Sequence, residues 1–269
     1  MKKGYCHICR KYSDLTFEHI PPQKAFNYNR AKSIEGDSFL KIITDNNRMP
    51  WELNDLKYVS KQRGMGMYSL CSNCNNIMGT FYGDVYIKFA YTIHNIFPEI
   101  LQIINDTKMN IANFKVQGIN PLLFAKQVLS MFCSTCEHIT QNDPNIKDLL
   151  LNKDQKGLDT NKYRLSMFLM NQRKIAYSGY QVMLIGGIGI IEVATIDAYP
   201  FGFVLEFNPR LDIKRQELDI TSFFNDYDCK NYNLEFGIPV LERNNIISCD
   251  YRSKNEIKKC IEKNKKIKI

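Results

Sequence analysis

Hydrophobic positions in this chain change their spacing after Gly83. Before it, apolar residues are scattered among Cys, Pro, Gly and Asn without a helical period. Beyond it, Tyr86, Phe89, Ala90, Ile93, Ile96 and Phe97 recur at three- and four-residue steps. That pattern predicts a helix with one buried face, ended by Pro98. A second helix is expected from Asn120-Pro121, with Asn as N-cap and Pro in the first turn, followed by Leu122, Leu123, Val128, Leu129 and Phe132. Residues 140–162 are polar around Leu149-Leu150-Leu151 and read as a variable loop or linker. Residues 163–174 read as a helix. Residues 180–185, 190–196 and 201–207 read as strands separated by glycines and by Tyr199-Pro200. A final helix is expected from Ser253, with Glu256 placed for a capping box and a lysine-rich face beyond it.

The expected fold class is therefore α+β, with two parts. Residues 1–83 form a compact module stapled by metal, its helix extending to about residue 97. Residues 98–269 form a mixed helical and β-rich domain with a basic C-terminal helix. Charge follows the same division. The formal net charge of +8 separates into +5 over residues 1–83, −3 over 84–251 and +6 over 252–269. Basic ends suit either a polyanionic partner or a solvated tail. The longest apolar run, residues 182–191, is interrupted by Gly186 and Gly187 and is roughly half of what a membrane span needs. The start, Met1-Lys2-Lys3-Gly4-Tyr5-Cys6, has no apolar segment behind its basic pair, so the expected location is cytoplasmic, away from membranes. Nine cysteines in such a chain favour thiolate chemistry or metal over disulfides.

Four of those cysteines form two Cys-x-x-Cys pairs, Cys6/Cys9 and Cys71/Cys74. Each pair lets one tight turn present two thiolates, and two pairs complete a tetrahedral zinc site. Such a site has no open position, so the ion is structural. Cys133, Cys136, Cys229, Cys249 and Cys260 read as core or incidental thiols. Glu18-His19-Ile20-Pro21 follows Cys9 closely, with residues 14–17 as the first strand of a hairpin and His19 at its mouth. Asn75 follows Cys74 in the first turn of a helix.

In these elements, Cys6-x-x-Cys9, Glu18-His19-Ile20-Pro21 and Leu70-Cys71-x-x-Cys74-Asn75, the chain resembles the HNH nucleases, ββα-metal proteins that carry an added four-cysteine zinc knuckle. The resemblance implies a metal-dependent endonuclease acting on DNA, with His19 as general base. It implies Glu18 and Asn75 as ligands to a catalytic Mg²⁺ or Mn²⁺. Arg10, Lys11, Lys24, Arg30, Lys61 and Arg63 are candidates for phosphate contacts. A paired cut would favour a homodimer. The same module can also serve as an inactive nucleic-acid-binding or protein-interaction unit.

The chain departs from the family pattern in two respects, of which one is an insertion over residues 23–63, longer than a minimal module needs. No asparagine occurs in residues 62–68, where the family's middle Asn lies. Asn46, Asn47 and Asn54 are the candidate substitutes, with Gln62 or Arg63 as others able to take its role. Asp84 and Tyr82 could approach the site from the helix, although Gly79 and Gly83 leave its geometry open. His94 reads as a packed or surface histidine. Trp51, Phe26, Tyr28 and Tyr68 read as core aromatics able to stack on bases. Gly186-Gly187-x-Gly189 reads as a turn or bulge.

Overall fold

The computed structural model describes residues 2–34, 49, 51–52, 56–107, 110–185, 189–210, 212–244 and 249–267. Asn46, Asn47, Asn54, Gly186 and Gly187 lie outside them.

The N-terminal sheet is antiparallel, in the order β1 (Lys2–Tyr5), β2 (Tyr12–His19), β5 (Gly66–Cys71). Between β2 and β5 the chain leaves this sheet and makes a separate antiparallel ribbon, β3 (Ala31–Ile34) with β4 (Tyr58–Lys61). From β5 it turns directly into α1 (Ser72–Met78). A π-helical turn, Gly79–Gly83, joins α1 to α2 (Asp84–Thr107).

Helix α2 does not end at Pro98; it carries that proline inside and continues to Thr107. A proline forfeits one backbone hydrogen bond. Here the apolar stripe runs on past it through Ile100, Leu101 and Ile104, so packing offsets the loss. Next come β6 (Ile111–Ile119) and α3 (Pro121–Thr135), the latter capped as expected, with Asn120 Oδ1 accepting from the Leu123 N–H at 3.0 Å. Residues 121–134 of α3 are buried on every side.

Two sequence expectations fail in the next segment. The supposed loop at 140–162 contains α4 (His138–Asn142) and α5 (Pro144–Leu151). Helix α5 repeats the start signal of α3: the Asp143 side chain caps it, Pro144 opens it, and Leu149 and Leu150 are buried. The supposed helix at 163–174 is instead strand β7 (Tyr163–Leu169), buried at every position. A strand covered on both faces loses its alternation, and an unbroken apolar run does not distinguish it from a helix.

β7 lies inside a five-stranded antiparallel sheet, ordered β11 (Leu218–Asp219), β7, β10 (Phe201–Phe207), β9 (Gly189–Ala198), β8 (Ile175–Ile185). β12 (Tyr232–Pro239) pairs with β6. The last helix, α6 (Lys254–Ile267), has its capping box: the Ser253 N–H donates to Glu256 Oε2 at 2.8 Å, and the Glu256 N–H to Ser253 Oγ at 3.3 Å.

One apolar core runs from Cys6, Ile8, Leu15 and Ile20 through Leu70, Cys74 and Met78 to α2, α3 and the large sheet. At its centre the Tyr86 and Phe124 rings stack at 5.6 Å. The sheet's opposite face carries a smaller core around Phe168, Val193, Val204 and Leu241. Buried ion pairs lie on this sheet too: Glu206 with Arg164 and Arg215, and Asp197 with Arg243 and Lys174. The fold is mixed α+β.

Candidate functional site

Two turns bring the four cysteines together. Cys6 leaves β1 into a turn closed by the Arg10 N–H on the Cys6 carbonyl, at 2.9 Å, with Arg10 at a left-handed φ of 60°. Cys71 ends β5, and Cys74 lies in the first turn of α1. All four sulfurs fall within 4.8 Å of one another, with Cys9 and Cys71 at 3.8 Å. Metal–thiolate bonds near 2.3 Å in a tetrahedron require sulfurs roughly 3.8 Å apart, so this donor set can hold one metal ion. The Cys6 thiol is held down to about 4. A hydrogen bond from Cys74 does most of this, aided by the backbone N–H groups of Cys71, Cys9 and Ile8 and opposed by burial. Cys133 and Cys136 are buried thiols outside the cluster, both pushed up by burial.

The bond between β2 and β5, and the direct step from β5 into α1, open a cleft of about 370 Å³ beside this cluster. Glu18 and His19 at the end of β2, Asn75 on α1, Asp84 at the start of α2 and Gln127 on α3 line it. His19 Nε2 donates to the Arg63 carbonyl at 2.9 Å, which leaves Nδ1 with its lone pair. The Glu18 carboxylate has no hydrogen-bond or ion-pair partner among the described residues, and burial pushes it up to about 8. Asn75 Nδ2 donates to Thr16 Oγ1 at 2.9 Å, and that hydroxyl donates to the Leu70 carbonyl at 2.9 Å. This relay fixes the amide and frees Asn75 Oδ1. Gln127 is buried, and its Oε1 has no hydrogen-bond partner among the described residues. Tyr82 turns away from the cleft, its hydroxyl donating to the Leu150 carbonyl at 2.7 Å.

Asn27 fixes the loop that carries the cleft's edge. Its Nδ2 donates to the Pro21 and Met65 carbonyls, each at 2.7 Å, and its Oδ1 accepts from the Met65 N–H at 2.7 Å. The two glycines beside Met65 make that approach feasible. Gly64 has φ 83°, and a Cβ there would lie 2.5 Å from the Asn27 carbonyl oxygen. Gly66 faces His19 across the strands, where a Cβ would lie 2.1 Å from the Glu18 carbonyl oxygen. Asn27 was not among the sequence candidates because it lies inside the insertion, where nothing in its spacing pointed to it. Gln127 did leave a signal, a polar residue beside Lys126 within a largely apolar helical run.

The basic candidates disperse. Lys24 lines the cleft. Arg63 is exposed, and its backbone holds His19. Arg10 instead pairs with Glu137 at 3.3 Å. Lys11 is exposed just before β2, and Lys61 is half-buried on β4. Arg30 borders a different hollow. His94 is packed, as expected, with Nδ1 at 2.9 Å from the Tyr199 hydroxyl.

Comparison with family models, with curated proteins and with solved structures returns no match for this chain. No described helix is long and apolar enough to cross a membrane.

Proposed function

We propose that this chain is a metal-dependent endonuclease of the HNH type, hydrolysing phosphodiester bonds in DNA. One observation carries the proposal: Glu18, His19 and Asn75 share one cleft, with His19 Nε2 donating to a backbone carbonyl so that in the neutral ring Nδ1 is the acceptor. Hydrolysis of a phosphodiester needs a base for the attacking water and a cation near the phosphoryl and leaving oxygens. His19 Nδ1 takes the proton from water. The Glu18 carboxylate and the Asn75 Oδ1 are hard oxygen donors suited to Mg²⁺ or Mn²⁺. Desolvation without a partner holds the half-buried Glu18 carboxyl up at about 8, and a bound cation would favour its charged form; this is why Glu18 fits the role. When bound, such an ion offsets negative charge that builds up in the transition state. Lys24 holds a flanking phosphate, and Gln127 lies beneath, in the wall of the cleft.

The four-thiolate site is assigned to structural zinc. It joins β1, the end of β5 and α1, and so fixes the β2 strand that carries His19 relative to the helix that carries Asn75.

The test is cleavage of plasmid, linear DNA and RNA with Mg²⁺, Mn²⁺ or chelator, alongside His19→Ala. Cleavage should need the divalent ion and fall about 10²- to 10⁴-fold in the variant, while zinc content and melting temperature stay unchanged. Salt-sensitive binding without cleavage under any ion would instead indicate a nucleic-acid-binding module.

A further inference from the structure

The turn that edges the cleft has a second side. Beyond Asn27, a hollow of about 430 Å³ opens between the β3–β4 ribbon and the residues that lead into β8. Its floor is aromatic, with Phe26 and Tyr199 edge to face at 5.6 Å. Tyr28 and Tyr58 form its walls and are 63% and 49% exposed, so each has ring surface available to a ligand. Cations stand over this aromatic lining: Lys32 Nζ is 4.3 Å from the Tyr58 ring centroid, and the Arg173 guanidinium is 5.7 Å from that of Tyr199. Arg30 completes the rim and makes no ion pair among the described residues. Lys174 lies deeper and is committed to Asp197 at 3.1 Å. Among the described residues, no acidic side chain lines the hollow.

Positive charge selects an anion, and exposed rings select flat faces. An inorganic phosphate would leave the tyrosines unused, and an acidic peptide would find no reason for them. A duplex keeps its bases stacked inside. A single strand of nucleic acid offers phosphates and free base faces together. The hollow also adjoins the cleft: Lys24 in the cleft and Arg30 on the rim lie on the one segment that joins β2 to β3, held down between them by the three Asn27 hydrogen bonds.

We propose that this hollow binds a single-stranded segment of nucleic acid running from the His19 cleft, its phosphates on Arg30, Lys32 and Arg173 and a base stacked on Tyr28 or Tyr58. The direction of the strand rests on the nuclease reading; the binding does not.

Fluorescence anisotropy of labelled oligothymidylate with full-length His19→Ala protein tests it, since no cleavage then intervenes. Tyr28→Ala should weaken binding about 5- to 150-fold, and Tyr28→Phe should retain it. The paired change Arg30→Ala with Arg173→Ala should lower the slope of log affinity against log salt by about 1.4. Melting temperature and zinc content verify folding for each variant. Retained affinity in Tyr28→Ala, Tyr58→Ala and the double arginine variant would overturn the proposal. So would equal losses in Tyr28→Ala and Tyr28→Phe. Failure of the wild type to cut, with these losses present, would reject the nuclease reading and leave the hollow as a strand-binding site. Ordinary cutting with no losses would do the reverse.

Discussion

Gln127 is costly for its position. Its amide is buried in the core-facing helix α3, and its Oε1 finds no partner among the described residues. An unsatisfied buried polar group costs about 1–3 kcal/mol. Replacing it with an apolar side chain of similar length should therefore leave stability equal or raise it by about 1 kcal/mol. Gln127→Met should show that behaviour in urea unfolding while lowering cleavage at least tenfold. Parallel losses of stability and activity would make Gln127 a structural residue only. At this scale the sequence revealed the charged and thiol chemistry, because Cys-x-x-Cys spacing and a Glu-His pair are local. It concealed Asn27 and Thr16, whose functions exist only through contacts with Met65 and Asn75, distant along the chain. Their side chains look ordinary until the strands pair.

Elements were legible where one face is buried and opaque where both are. The stripe of α2 and the caps of α3 and α6 follow periodic or local rules, and the structure bears them out. β7 failed because both its faces are covered, and α5 because its polar flanks masked an Asp-Pro cap identical in kind to the Asn-Pro cap of α3. The π-helical turn also escaped notice. It begins at Gly79, which is exposed at the cleft, helical at φ −61°, and has no atom within 4 Å of a Cβ built there. Gly79→Ala should accordingly raise stability by about 0.5–1 kcal/mol. Gly79→Leu should fold as well but narrow the cleft and depress cleavage, measured by calorimetry and plasmid nicking respectively. Unchanged nicking by the leucine variant would place the substrate elsewhere.

Over the whole molecule, two independent clasps hold the architecture. The first is the thiolate cluster. If the cluster holds zinc and the His19 cleft cuts DNA, as proposed, a strong chelator should abolish cleavage, and added Mg²⁺ alone should not restore it, whereas Zn²⁺ followed by Mg²⁺ should. Recovery with Mg²⁺ alone would show that the cluster plays no part in the active form. The second is Glu206, whose carboxylate receives two hydrogen bonds from Arg215 and three from Arg164. Burial raises its pKa, but the bonds from Arg215 and Arg164 outweigh that and leave it below the ordinary glutamate value. A depressed native value means stabilisation that is complete above the unfolded value and is lost as pH falls through the native one. The wild type should therefore lose stability below about pH 4, and Glu206→Gln should lose about 3–5 kcal/mol at neutral pH with a flatter acid limb. Coincident acid limbs in the two proteins would assign the pH dependence to other groups.

The Asn27 amide also determines where the chain is free to change. It bonds residues on both sides of the long excursion between β2 and β5, so the path to His19 closes on itself before the β3–β4 ribbon begins and after it returns. Lengthening, trimming or exchanging that ribbon would thus reshape the hollow it walls without disturbing the cleft around His19, much as a tool head can be changed on a fixed handle.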